Sequence, residues 1–195
     1  MRGLWFVLIS VAAAGQTTDA VIWDTTGLGL NGESPVGVWD GAVWQRGVGF
    51  TPESACVLTS IALPLSAVRA GGAVAVVLAS DDHDYPGAPI EEFTIRGIGT
   101  ERRFYTVDSG KRPVLRGQTR YWILVAAAGE SRVTWYGAGL NSTSYYGPVD
   151  AFRRNNGAWA IGNPYADDVI IRGKKISGAA WGMPGRPEES RLVSK

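Results

Sequence analysis

Three aspartates in one short polar segment are the residues of this chain with the clearest potential for chemistry. Asp81, Asp82 and Asp84 follow an apolar run and precede Pro86-Gly87. Ca²⁺ is bound in proteins by about six to eight oxygen atoms, and closely spaced carboxylates supply several of them. The segment therefore predicts a weak Ca²⁺ site. Because aspartate also favours turns before proline and glycine, we favour the alternative that the three residues only form a turn.

Residue types that are typical of catalysis are scarce. His83 is the only histidine, which excludes a metal site with two histidines and leaves little room for a serine–histidine–aspartate triad. Glu91 and Glu92 are adjacent, so on a strand they point to opposite faces and cannot flank one glycosidic bond. The glycines of residues 27–32 are not followed by Lys-Ser or Lys-Thr, so they are not a phosphate loop. We therefore expect no enzymatic activity and no cofactor, with Ca²⁺ as the one candidate.

Aromatic and polar side chains are concentrated between residues 145 and 165. Many sandwich domains hold sugars with exposed rings beside amide and guanidinium groups: the ring stacks on the sugar and the polar groups bind its hydroxyls. The alternative is that these rings close one end of the fold, and we favour it. The candidate sugar-binding residues are Tyr145, Tyr146, Arg153, Asn155, Trp159 and Tyr165.

Short strands separated by turns account for most of the chain, which is rich in Gly (26) and Pro (10) and has eight Trp. Residues 121–128 form the strongest predicted core strand, and residues 73–79 form a strand that is covered on both faces. Residues 131–136 alternate polar and apolar, as in a half-buried strand. Further strands are predicted at 21–23, 42–50, 56–63 (ended by Pro64), 90–95, 103–107 and 169–171, with loops over 25–35 and 137–168. No segment has sustained helical periodicity, so we predict an all-β fold, an antiparallel β-sandwich of jelly-roll type.

Four residues are assigned to the predicted core. Trp23, Trp122 and Trp135 lie in predicted strands, and Cys56 precedes the apolar pair Val57-Leu58. As the only cysteine, Cys56 cannot form an intramolecular disulfide, and we interpret it as a small buried side chain and not as a reactive thiol.

Length and composition predict one globular domain outside the cell. The chain has 195 residues, of which 45% are apolar and 19% charged. A basic start and an eleven-residue apolar run that ends in Ala-Ala-Ala predict a signal peptide over residues 1–14. We place the sandwich at 20–176 and a disordered tail at 177–195. Without Arg2 the basic and acidic residues are equal in number, so we expect no binding to nucleic acid, and no later segment is long enough to span a membrane.

Several motifs between residues 40 and 172 resemble a known family. They are Phe50-Thr51, the strand Leu58-Thr59-Ser60 with Leu63-Pro64-Leu65, the Asp-rich turn Asp81 to Gly87, the strand Thr119 to Val125, and Trp135. This pattern resembles the choice-of-anchor domains, in particular type R, which are exported bacterial β-sandwich proteins often found with PEP-CTERM sorting tails. The resemblance implies a β-sandwich fold and an extracellular or surface location. It implies no established activity, and it favours a structural role for Trp159.

The sequence thus predicts an exported structural or surface-associated β-sandwich module of the extracellular matrix, without catalysis. The alternative is a carbohydrate-binding module that uses the aromatic loops around Tyr145 to Tyr165. The expected partners are extracellular polysaccharide or surface proteins.

Overall fold

The computed structural model of the protein describes residues 19–26, 32–139, 149–162 and 165–176. These residues form fourteen β-strands in antiparallel pairs, and none of them lies in a helix, so this part of the chain has no helix that could cross a membrane. The predicted all-β, sandwich-like fold is confirmed. The predicted signal peptide and the predicted tail lie outside the described residues.

The strands are β1 (Ala20–Asp24), β2 (Gly32–Trp39), β3 (Ala42–Phe50), β4 (Cys56–Ala67), β5 (Gly72–Asp82), β6 (Tyr85–Ile98), β7 (Arg103–Asp108), β8 (Val114–Leu115), β9 (Tyr121–Ala127), β10 (Arg132–Gly139), β11 (Val149–Arg154), β12 (Ala160–Ile161), β13 (Tyr165–Asp167) and β14 (Ile170–Lys175).

One continuous path of hydrogen-bonded strands connects the layers of the sandwich. The order along this path is β1-β14-β4-β10-β2-β3-β9-β5-β6, with β11 beside β3, β12 beside β11, β13 beside β10, and β7 and β8 beside β4. Side chains of β5 and β9, such as Val76 and Ile123, share one buried cluster with Leu63 of β4 and Ile171 of β14. The main core therefore lies between strands from the two ends of the path.

Strand β4 extends beyond the predicted stop at Pro64 and ends at Ala67, so the expectation that Pro64 ends the strand was wrong. One edge of β4 pairs with β14 as far as Ala62 and with β10 from Leu65 onward. Pro64 lies between these two segments, where this edge changes partner. Proline has no backbone N–H to donate to a neighbouring strand. At Pro64 this edge of β4 has no neighbouring strand in the described part of the chain, so no donor is needed there.

Strands also form in two regions that the sequence predicts as loops. Strand β2 begins at Gly32 and pairs with β10, and β11 pairs with β3 from Val149 opposite Gly49 to Arg154 opposite Trp44. Glycine disfavours isolated strands because of its backbone freedom. Here, a long neighbouring strand supplies the hydrogen bonds, and tertiary pairing outweighs the local preference.

The predicted core residues are largely confirmed. Trp122, Trp135 and Cys56 are fully buried, and the indole N–H of Trp135 donates to the backbone oxygen of Asp168 at 2.9 Å. Trp23 is only half-buried, and its ring packs against the ring of Phe50 at a centroid distance of 6.4 Å.

A second, smaller apolar cluster covers the opposite face of β5, β9 and β11. Its buried members are Ala79, Trp122 and Ala151, and Trp159 packs against them. Gly49 provides the room for the large ring, because a Cβ atom at that position would lie 3.3 Å from ring atoms of Trp122. This face of the sheet is therefore covered by side chains of its own strands and of the segment after β11.

Candidate functional site

The predicted Asp81–Asp84 segment is the tight turn of the β5–β6 hairpin. His83 and Asp84 have φ angles of 53° and 69°, as expected for the two central residues of a type I′ turn. Aspartate tolerates this left-handed conformation better than most residues. The backbone N–H of Asp84 donates to Oδ2 of Asp81 at 3.1 Å, which closes the turn.

Each carboxylate of this turn contacts a different neighbour. Oδ1 of Asp81 accepts a hydrogen bond from the indole N–H of Trp122 at 2.8 Å. Asp82 contacts Nδ1 of His83 at 2.7 Å, and this hydrogen bond, with the charge of Asp82, raises the pKa of the exposed imidazole. Asp84 pairs with Arg120. The three carboxylates therefore take part in the hairpin and its anchoring, and the Ca²⁺ site at this turn stays a prediction.

The predicted sugar-binding residues do not form one cluster among those that can be located. Tyr145 and Tyr146 lie outside the described residues, and Tyr165 belongs to β13, where its backbone pairs with Gly139. Asn155 has a φ angle of 52° in the turn after β11, and its Oδ1 accepts a hydrogen bond from the backbone N–H of Val43 at 2.9 Å. Asn155 therefore stabilises the packing of this turn on β3.

Arg153 and Trp159 are the two candidates that the fold brings together. The guanidinium carbon of Arg153 lies 4.8 Å from the ring centroid of Trp159. Nε of Arg153 also donates to the side-chain oxygen of Gln45 at 2.5 Å. Trp159 is half-buried against the smaller apolar cluster. One side of the Trp159 ring therefore packs on the sheet, and the Arg153 guanidinium lies over the ring.

A different aromatic pair, which the sequence analysis did not single out, lies near this turn. The rings of Trp44 and Phe152 are 6.1 Å apart and tilted by 43°, and both are half-buried. Arg46 lies over both rings, and Arg154 lies 5.6 Å from the centroid of Trp44. Trp44 and Phe152 come together only because β3 and β11 pair, so no spacing in the sequence indicates their contact.

Two almost completely buried aspartates lie near Arg46. Asp150 of β11 is 6% exposed and Asp167 of β13 is 4% exposed. A terminal nitrogen of Arg46 lies 3.8 Å from Oδ2 of Asp150. The neighbouring Asp168, also buried, lies 3.5 Å from a guanidinium nitrogen of Arg102. We call Asp150 and Asp167 the interior acid pair. The sequence analysis did not identify this pair, because both residues fall in the segment predicted as a loop.

Burial dominates the ionisation of the interior acid pair. The pKa of Asp150 is raised to about 8, mainly by burial and also by the negative charge of Asp167, against the opposing charge of Arg46. The pKa of Asp167 is raised to about 7, mainly by burial and also by the charge of Asp168, against the lowering effects of a hydrogen bond from Ser34 and of Arg46. Removal from water disfavours the charged form of a carboxyl group. The charge of Asp167 acts on Asp150 and the charge of Arg46 acts on both, which indicates that the two carboxyl groups lie in one polar region.

Glu91 and Glu92 point to opposite faces of β6, as the sequence analysis predicts. Glu91 is 4% exposed, whereas Glu92 is exposed. The Glu91 carboxylate accepts hydrogen bonds from the Ser109 hydroxyl at 2.7 Å and from the backbone N–H groups of Gly110 and Lys111 at 2.8 and 2.9 Å. Glu91 therefore organises the turn after β7.

An open groove of about 500 Å³ lies between the β4–β5 and β9–β10 turns. Its charged lining residues are Arg69, Glu130 and Arg132, and the rest of its lining is mainly small turn residues. The guanidinium of Arg132 lies over the ring of Trp39 at 4.5 Å. None of the predicted site residues that the structure describes lines this groove.

No protein-family model and no curated protein matches this chain. The resemblance to choice-of-anchor domains therefore stays a prediction that depends on the motifs between residues 40 and 172.

Proposed function

We propose that this chain is an exported, non-catalytic β-sandwich that serves as a structural or surface-associated module of the extracellular matrix. One observation carries the proposal: among the described residues, several of the side chains that the sequence offers for binding or chemistry are engaged in contacts within the fold. Asp81 holds Trp122, Glu91 holds the turn after β7, and Trp159 packs under Arg153. Such contacts stabilise the folded domain, and a structural module depends on that stability.

The proposed absence of catalysis is supported by the positions of the acid–base groups. The side chain of His83 is 97% exposed at the tip of a hairpin, where its partner in the described structure is Asp82. Glu91, Asp150 and Asp167 are buried. A general acid or base must reach the substrate within hydrogen-bond distance. Neither a solvated hairpin tip nor a closed interior supplies such a position.

Export is tested by the N-terminus of the protein in its host. The basic start and the apolar run up to residue 14 predict cleavage and recovery from the extracellular or surface fraction. N-terminal sequencing of the fractionated protein should therefore begin shortly after residue 14. Protein that retains Met1 and stays in the cytoplasm would refute the proposal.

Carbohydrate binding is the second candidate, and the Trp44–Phe152 pair favours it. These half-buried rings lie beside the exposed Arg154, which forms no ion pair with any described carboxylate. If they bind glycan, the purified protein should be retained on immobilised polysaccharide, and Trp44→Ala should abolish retention. The structural proposal expects no retention for either protein.

Two further variants make this experiment decisive. Tyr145→Ala/Tyr146→Ala tests the loop predicted from the sequence, and Val114→Ala, at a side chain that is exposed elsewhere on the surface, is the matched control. Retention that is lost in a folded Trp44 or Tyr145/Tyr146 variant, but not in the control, would replace the structural proposal with the carbohydrate-binding one.

A further inference from the structure

When both of its carboxyl groups are ionised, the interior acid pair has more negative charge than the guanidinium beside it, that of Arg46, neutralises. Asp168 has Arg102 at 3.5 Å, whereas Arg46 is the nearby positive charge for both Asp150 and Asp167, and Asp167 also accepts a hydrogen bond from Ser34. The distance of 3.8 Å between Arg46 and Asp150 is long for a charge-assisted hydrogen bond. An ionised carboxylate that is buried without full compensation is strongly unfavourable.

Two oxygens of the pair also lack hydrogen-bond partners. Within the described ranges, Oδ1 of Asp150 and Oδ2 of Asp167 are buried and accept no hydrogen bond. Most buried polar atoms in folded proteins are paired, so an unpaired one calls for an unseen water, proton or ion. Both side chains are more than nine-tenths buried.

The position of Asp150 is fixed by the adjacent backbone. The N–H of Gly162 donates to the backbone oxygen of Asp150 at 2.9 Å. A Cβ atom on Gly162 would lie 2.5 Å from Oδ2 of Asp150, so only glycine lets the chain pass this closely. The backbone of Asp150 is therefore fixed, and the chain at Gly162 passes directly against its carboxylate.

We propose that Asp150 and Asp167 are ligands of a buried divalent cation of the Ca²⁺ or Mg²⁺ class. Hard cations of this class prefer carboxylate, carbonyl and water oxygens. The sulfur and imidazole ligands that would favour zinc are distant, since Cys56 lies in β4 and His83 lies at the far hairpin tip. No group of three or more His, Cys, Asp or Glu among the described residues is arranged to hold a metal, so the pair supplies two carboxylates and carbonyl or water oxygens must complete the shell.

This inference concerns an internal site and does not depend on the proposed function. A cation that binds only the folded state stabilises it in proportion to the logarithm of its concentration. After treatment with EDTA and its removal, millimolar CaCl₂ or MgCl₂ should therefore raise the melting temperature of the wild type by about 5 °C or more. Asp150→Asn and Asp167→Asn, which keep the side-chain shape and remove the charge, should lose this shift.

The matched control is Asp81→Ala/Asp84→Ala, which alters the hairpin turn and leaves the interior pair intact. It should have a lower starting melting temperature and the full cation shift. A shift that survives in both Asn variants and disappears in the control would place the cation at the hairpin and overturn the proposal. A wild type with no shift would also overturn it, because a proton then occupies the pair.

A direct readout keeps the proposal testable if a variant folds poorly. Tb³⁺ replaces Ca²⁺ at oxygen sites, and a nearby tryptophan can sensitise its luminescence. The wild type should sensitise Tb³⁺ in a manner that CaCl₂ reverses, and Asp167→Asn should reduce the signal at least tenfold. Equal signals from wild type and Asp167→Asn would contradict the proposed site.

Discussion

Asp81 connects the tip of the β5–β6 hairpin to the buried ring of Trp122. Its two oxygens have separate partners, because Oδ1 accepts from the indole N–H and Oδ2 accepts from the backbone N–H of Asp84. Trp122 itself is fully buried. The Asp81 carboxylate therefore accepts hydrogen bonds both from the indole N–H of the buried Trp122 and from the backbone N–H of Asp84 in the turn.

The first prediction concerns this carboxylate. Asp81→Ala should lower the free energy of unfolding by about 1–3 kcal/mol, because the indole N–H of Trp122 loses its acceptor in a buried site. Asp81→Asn keeps one acceptor oxygen, so it should cost less than half as much. Urea unfolding of the three proteins measures both changes. Equal stability of wild type and Asp81→Ala would contradict the assigned hydrogen bond.

The second prediction tests the structural role of Glu91, with the adjacent Glu92, which has the same side chain, as its control. Glu91→Ala leaves three donors without a carboxylate, including the buried Ser109 hydroxyl, and should cost about 2–4 kcal/mol. Glu92→Ala, at the exposed neighbour, should stay within about 0.5 kcal/mol of wild type. Denaturant unfolding of both variants is the measurement, and similar losses for the two would contradict the structural role of Glu91.

At the scale of strands, the sheet face that carries Trp122 depends on a glycine in the neighbouring strand. Gly49 of β3 lies opposite Trp122 of β9 in the register. The ring cannot move aside easily, since it is fully buried and its N–H is bound to Asp81. The pairing of a glycine with a large aromatic ring thus lets the small apolar cluster form on this face.

Gly49→Ala should therefore destabilise the protein by about 1 kcal/mol. The added Cβ meets the ring at 3.3 Å, and the resulting overpacking outweighs the gain from a stiffer backbone. Gly99→Ala is the control, because its Cβ would have only the Tyr105 hydroxyl nearby, at 3.7 Å. Thermal unfolding should show a lower melting temperature for Gly49→Ala alone. An unchanged melting temperature would mean that the ring can shift.

The sequence predicted those strands whose apolar pattern is strong and missed those that depend on partners. Residues 73–79 and 121–128 were found because runs of β-branched and aromatic residues are typical of strands. Strand β11 was missed, since its local composition is polar and its partner β3 is distant in the chain. The interior acid pair was missed for the same reason. Asp150 and Asp167 become buried only when β11 and β13 join the sheet, and no local pattern indicates that burial.

At the scale of the whole molecule, the hydrogen-bonded path makes the two layers dependent on each other. Strand β10 pairs with β2 on one edge and with β4 on the other, so it joins strands of both ends of the path. The main core contains side chains from β2, β4, β5, β9, β10 and β14 in one cluster. With a shared core and a shared ladder, we expect the described strands to unfold together.

Cys56 reports on this cooperativity, because it is the only thiol of the chain and is fully buried. It pairs with Lys175 of β14 and with Leu115 of β8, so both neighbours must separate before a reagent can reach its sulfur. Burial also raises the pKa of the thiol, although the charge of Lys175 partly offsets this, and the raised pKa keeps the reactive thiolate scarce.

Labelling of the native protein by a thiol reagent should therefore be slow. In a urea series, the labelling midpoint should coincide with the midpoint measured by far-UV circular dichroism. A labelling midpoint at clearly lower urea would show that β4 and β14 separate before the rest, and would contradict cooperative unfolding of the sandwich.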